Sequence, residues 1–345
     1  MFGVKIKGTG SFLPKKKINN FELYKKINNF DIDRAKESLS KKNINEDNST
    51  ENEIFDHWVQ MVSGIESRHV VSDQDSFRDH YEVEGMAYQA SLNAIASSGI
   101  DKNEIESIIL TSFTPTTLIP NSACTLTDLL GLTNCSGITL NTACSGFLDG
   151  LMDAYAKIAA GLYKTVLVVS SEYISKEISL DDPTTAILFS DGAGACILKR
   201  SEENHMLGFF SKANYSDQHL NMYNGNKLKM GGGPLVQRNA VNAMYESALQ
   251  ISQKTGLGFN DFDYIIPHQA NLRIMRELAR KMELTDHKMI ETVQSVGNTS
   301  CATIPISLDL LCRGKLNGFR YKDKSKILCT SVGGGYTYAA CAFVI

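Results

Sequence analysis

One segment narrows the choice of fold more than any other. From Ser145 to Ala160 the chain reads as a helix, yet Phe147, Leu148, Leu151, Met152, Tyr155 and Ile158 leave it apolar nearly all round, up to a stop at Gly161. A helix without a polar face has to be covered on every side. Short runs rich in Ile, Val and Leu flank it at Gly137–Leu140 and Thr165–Ser170, and a third lies upstream at Glu106–Thr111. Such runs are expected for strands buried on both faces, and their alternation with helices (another is the Ala-rich stretch Tyr81–Ser98, bounded by Gly99) predicts an α/β protein.

The same order of elements recurs further along. Gly137–Leu140, a turn, the buried helix and Thr165–Ser170 are followed by an expected hairpin, Ala186–Leu198. Later, an expected strand at Lys288–Val293, a turn, a helix from about Thr303 to Cys312 and a strand at Lys326–Thr330 are followed by Thr337–Ile345. With 345 residues, the chain exceeds what one core usually holds. The repetition predicts two similar halves, residues 1–200 and 201–345. Asn28–Glu53 breaks the rhythm. It is polar, with few apolar anchors, and reads as a solvated insertion, helical around Asp33–Leu39; a lid or partner-binding element is the sharper alternative.

Charge and composition exclude several classes. Lys plus Arg number 35 against 38 Asp plus Glu, a net charge of −3, where a nucleic-acid binder is normally basic. No apolar stretch is long enough to span a membrane, and the first residues lack a signal-peptide pattern, so a cytoplasmic location is expected. The eight cysteines form no Cys-x-x-Cys pair and the histidines complete no zinc spacing, so no metal is expected and most thiols should be reduced core residues.

Four constellations remain. In Asn141-Thr142-Ala143-Cys144-Ser145-Gly146-Phe147, Cys144 falls where a strand turns into the buried helix; free N–H groups and the positive helix end there favour a thiolate. The plain alternative is a structural core cysteine. In Tyr264-Ile265-Ile266-Pro267-His268-Gln269-Ala270-Asn271, His268 sits at a strand end, where α/β proteins place their chemistry, unless it is a hydrogen-bonded bystander. Ser295-Val296-Gly297-Asn298-Thr299-Ser300 occupies, in the second half, the turn that Cys144 occupies in the first; Asn298 offers an amide donor, or the segment is merely a turn with a helix cap. Ser331-Val332-Gly333-Gly334-Gly335-Tyr336 follows a strand and lets backbone amides point at a ligand, but lacks the features of a P-loop.

Taken together and in this order, these motifs resemble those of the beta-ketoacyl-acyl-carrier-protein synthase III family of the thiolase superfamily. The resemblance also covers Ile6–Pro14, Trp58 with Ser63-Gly64-Ile65, and Phe189-Ser190-Asp191-Gly192-Ala193-Gly194-Ala195, but not the insertion at 28–53. It implies a five-layered αβαβα fold of two pseudo-symmetric halves, a homodimer, and an acyltransferase needing no metal or redox cofactor. By the same resemblance, Cys144 takes an acyl group from a thioester and a malonyl thioester condenses with it after losing CO₂. Cys144, His268 and Asn298 match the catalytic set, and the backbone N–H groups of Cys144 and Gly334 match the oxyanion hole. Trp58 and Phe189 match the region that receives the pantetheine-bearing substrate.

The chain departs from that pattern where coenzyme A is held. The resemblance places an Arg four residues after Trp58, where Val62 stands, and another before the Phe189 stretch, at Pro183; an Asn expected after Met230-Gly231 falls near Gly233. The carrier side is better kept: Arg273, Arg276 and Arg280 share one helical face with Lys281 beside them, and such a stripe suits an acidic acyl carrier protein. A solvated helix face is the plain alternative. The donor is therefore open between acyl-CoA and acyl-carrier thioesters. So is the acceptor, because a same-fold acyltransferase would pass the acyl group to oxygen or nitrogen. A non-catalytic partner subunit of a heterodimer is the reading from another class.

Overall fold

A computed structural model describes all residues except 78–80, 217–219, 223–225, 232 and 286, and omits the side chain of 234. Two mixed sheets carry the fold. The first runs, edge to edge, Gly3–Phe12, Gly192–Ser201, Thr165–Glu172, Ser107–Thr111 and Ser136–Leu140. Its last three strands are parallel and the first two antiparallel to their neighbours. The second repeats this order as Met206–Ser216, Gly335–Val344, Lys326–Gly333 and Tyr264–Pro267, with the same change of sense. The two sheets thus share one strand order, with no counterpart of Ser136–Leu140 in the second among the described residues.

Strand alternation builds the layers. Val166 and Val168 face inward with Phe147, Leu151, Ile304 and Leu308 of the two central helices, Gly146–Ala159 and Thr303–Cys312. Leu167 and Val169, one step along, face outward against Met86, Ala90 and Ala94 of Glu82–Ser98. In the second sheet Ile327 and Cys329 join the central layer, while Leu328 packs outward with Met244 and Ile251 of Gly233–Thr255. Both faces of both sheets are covered, which gives the five layers αβαβα. Deleting a side chain such as Leu151 from the fully buried middle layer should cost about 2–5 kcal/mol.

Three expectations need correction. Ser136–Leu140 is not buried on both faces; it is an edge strand and partly exposed. Ala186–Leu198 is no hairpin: Asp182 caps a short helix, Pro183–Ala186, and a single strand follows from Gly192. Lys288–Val293 is no full strand. Met289 bridges Ile265, but the Gln269 side-chain oxygen then takes the N–H groups of Thr292 and Val293, at 2.8 and 3.3 Å. That diverts the chain from the sheet into the turn Val293–Val296.

The insertion contains the expected helix, Ile32–Ser40, capped by Asp31. Ala35 and Leu39 dock on Ile54 of Glu51–Ser63, and Phe30 packs on Trp58 with ring centroids 5.1 Å apart. Glu46, though in a polar loop, is buried and bonds His57 Nδ1 at 2.7 Å.

Candidate active site

The Cys144 turn is clamped by the opposite half of the molecule. Ser331 Oγ donates to the Cys144 carbonyl at 2.8 Å, and Thr337 Oγ1 donates to the Thr142 carbonyl at 2.8 Å. Between them the chain reverses through Gly333–Gly335. A Cβ on Gly333 would stand 2.8 Å from the Cys144 nitrogen, so only glycine permits this approach, and Gly335 takes a φ of +112° that side chains avoid. The backbone N–H groups of Cys144 and Gly334, the pair that the family resemblance implies for an oxyanion hole, both reach Cys144 Sγ.

The thiol itself corrects a sequence expectation. Cys144 is 6% exposed. Burial pushes it up to about 12, outweighing the donors (the Ser300 hydroxyl and the two N–H groups) that pull it down. The raised value leaves Cys144 protonated at neutral pH.

His268 follows strand Tyr264–Pro267, as expected. Its backbone N–H donates to the Thr330 carbonyl at 2.8 Å, and ring Nδ1 lies 2.8 Å from Thr303 Oγ1. Burial lowers its pKa to about 3, so the ring is neutral and carries one proton. The Thr303 hydroxyl, which also lies 2.9 Å from the Ser300 carbonyl, governs which nitrogen holds that proton. When it donates to Nδ1, the proton is on Nε2.

Asn298 is fixed by the segment containing Phe189. Its N–H donates to the Leu188 carbonyl at 3.0 Å, and its carbonyl accepts from Ser190 N–H at 2.9 Å. Its Oδ1 accepts from Ser300 N–H at 2.9 Å, which turns the amide nitrogen toward Ala270 beside His268. Phe189 is therefore a buried brace of the Asn298 turn.

Comparison with known proteins identifies the family. Family models described as 3-oxoacyl-[acyl-carrier-protein (ACP)] synthase III and its C-terminal domain match residues 138–215 and 252–345. A beta-ketoacyl-[acyl-carrier-protein] synthase III of Xanthomonas axonopodis pv. citri is 33% identical, over 97% of this chain and 96% of the relative. The chain belongs to the synthase III family. The crystal structure of 3-oxoacyl-[acyl-carrier-protein] synthase III from Aquifex aeolicus VF5 superimposes with a TM-score of 0.84 at 30% identity, covering 99% of this chain and all of that one. The priming beta-ketosynthase of the R1128 polyketide pathway gives 0.85 at 26% identity, covering 100% and 96%.

Within this synthase III chain, the remaining predicted residues fall as follows. Trp58 is half-buried between Phe30 and Phe55. Val62 packs into the neighbouring core, and Pro183 opens a helical turn. Arg273, Arg276 and Arg280 are exposed on Leu272–Lys281, whose Leu272, Met275 and Leu278 face the core. Lys281 leaves that stripe: it bonds Asn242 and lies 4.8 Å over the Tyr245 ring.

Two residues escaped the sequence reading. Cys301 stands in its turn as Cys144 stands in the other, each preceded by a non-glycine residue of positive φ, Ala143 at +48° and Ser300 at +52°. The spelling Ala-Cys-Ser against Ser-Cys-Ala was the available signal. Glu172 ends a buried strand, accepts from Ser112, Phe113, Thr114 and Cys301, and is pushed up to about 7 by burial. Among the described residues no His/Cys/Asp/Glu group is arranged to hold a metal, and no helix is long and apolar enough to cross a membrane.

Proposed function

We propose that this chain is a decarboxylating condensing enzyme that makes a beta-ketoacyl thioester from an acyl thioester and a malonyl thioester. Cys144 attacks the acyl donor, and the N–H groups of Cys144 and Gly334 hold the tetrahedral oxyanion. The malonyl thioester then loses CO₂. Its enolate oxygen receives hydrogen bonds from His268 Nε2–H and the Asn298 amide, and its carbon attacks the acyl-Cys144 carbonyl. The observation that carries this reading is the Ser300 turn, which ties Cys144, Asn298 and, through Thr303, His268 into one network.

The donor is read as carrier-bound. Val62 and Pro183 offer no guanidinium, and Phe30 covers part of Trp58, so the adenine end of coenzyme A has few partners here. The exposed Arg273, Arg276 and Arg280 remain for an acidic carrier protein, with Lys281 at their margin. A homodimer is supported by the partly exposed edge strand Ser136–Leu140 and by Leu118 and Ile119, which stand 82% and 93% exposed at a loop tip. Residues 1–200 and 201–345 act as the two halves that share one site.

Intact-mass spectrometry after incubation with acyl-CoA and acyl-carrier thioesters, paired with CO₂ release from a malonyl thioester, tests the function. An acyl adduct on Cys144 with CO₂ release is expected. An adduct without CO₂ release would instead favour transfer to oxygen or nitrogen.

A further inference from the structure

Ser300 is fully buried and sits in the left-handed region at φ +52°, a conformation that costs a non-glycine residue free energy unless its surroundings hold it. All three of its polar groups are engaged with the reactive residues. Its N–H donates to Asn298 Oδ1 at 2.9 Å, its carbonyl lies 2.9 Å from Thr303 Oγ1, and its hydroxyl lies 3.4 Å from Cys144 Sγ. The backbone bonds would survive in any residue of that conformation. The bond to sulfur needs a hydroxyl.

We propose that Ser300 is a further catalytic residue, whose hydroxyl donates a hydrogen bond to Cys144 Sγ and stabilises the thiolate that attacks the acyl donor. In a site that excludes water, a donor aimed at developing charge counts for more than the same donor in solvent. Loading breaks the Cys144 S–H bond and the donor's acyl carbon–sulfur bond. It forms the acyl carbon–Sγ bond, and the Cys144 proton leaves with the departing pantetheine thiolate. Ser300 keeps its own proton throughout. Once acylated, the sulfur is neutral and a weak acceptor, so the bond favours the charged state over both thiol and thioester. The neighbouring donors, the two backbone N–H groups, converge on the same atom.

The inference rests on Cys144 being the nucleophile, so the test reads the sulfur directly. Alkylation by iodoacetamide at pH 8, followed by intact mass and peptide mapping, should be about tenfold slower at Cys144 in Ser300→Ala and in Ser300→Gly, as expected for loss of one charge-assisted bond. Glycine suits the backbone at this position, so Ser300→Gly carries the test should the alanine variant fail to fold. Near-UV circular dichroism should match the wild type, and the buried Cys301 should stay unlabelled. Wild-type labelling rates in the glycine variant would overturn the proposal. So would a slowdown accompanied by lost near-UV signal or by labelling of Cys301, since that marks a loosened turn. Failure of the functional reading would look different: no acyl adduct on the wild-type chain.

Discussion

Cys144 and Cys301 are the same residue in the same turn of two related halves, yet their surroundings have opposite character. Both follow a residue of positive φ, and both lead through a short 3₁₀ turn into an apolar central helix. Around Cys144 the nearest polar groups are donors: two backbone N–H groups and the Ser300 hydroxyl. Around Cys301 they are acceptors, the Thr111 carbonyl at 3.4 Å and the Glu172 carboxylate at 3.1 Å. Burial and the charge of Glu172 raise both thiols, but at Cys301 Glu172 also accepts the thiol's hydrogen bond, while the donors hold Cys144 back. Backbone geometry therefore supplies two candidate nucleophiles, and the sign of the neighbouring partial charges favours Cys144 in the proposed mechanism.

The largest test exchanges each cysteine for alanine. Cys144→Ala should lose both the acyl adduct and turnover, while Cys301→Ala should keep the adduct on Cys144. An adduct mapped to Cys301 in Cys144→Ala, or loss of the Cys144 adduct in Cys301→Ala, would break the comparison. Next in size, the proposed mechanism uses Asn298 and His268 of the second half rather than its cysteine. His268→Ala and Asn298→Ala should still load Cys144, but release CO₂ from a malonyl thioester about 10²–10³ times more slowly, the usual effect of removing one such donor. Normal decarboxylation in both would remove these residues from the mechanism.

Two smaller effects sharpen the picture. A thiol pushed up to about 12 is protonated at neutral pH; its thiolate fraction, and with it the alkylation rate, should climb about tenfold per pH unit from pH 7 to 9. A plateau in that window would show that the donors outweigh burial. Finally, an acyl-carrier thioester should load Cys144 at least about tenfold faster than the matching acyl-CoA, because two missing guanidinium contacts remove roughly 1.5–3 kcal/mol each and about 1.4 kcal/mol is a factor of ten. Arg273→Glu should slow carrier-dependent loading and spare a short pantetheine thioester. Equal or faster loading from acyl-CoA would return coenzyme A to the site.

What could be read from the sequence follows a physical division. The strand at Thr165 and the helix at Thr303–Cys312 were legible because each is specified by its own apolar content. The false hairpin at Ala186–Leu198 shows the limit. Leu188 and Phe189 look like strand residues, but Ser190 and Asp191 that follow are buried loop anchors. Asp191 accepts from Val71 and Ser175, partners that no local pattern announces. Gln269 likewise decides the path of Thr292 and Val293 from more than twenty residues away. In the candidate site, Cys144, His268, Asn298 and Gly334 drew attention because they stand in motifs at element ends that resemble those of the family. Glu172 could not, since its role depends on a loop, a strand and a turn meeting in space.

The clamp on the Cys144 turn also has a bearing on biosynthesis. Ser331 meets the Cys144 carbonyl from 187 positions further along the chain, and Gly334 completes the pair of N–H donors. A ribosome making this protein exposes Cys144 long before either group exists, and proteins fold N-terminal part first as they emerge. The nascent chain therefore carries a thiol without its second N–H donor, and in the proposed mechanism acyl transfer waits for the glycine turn to complete the pair.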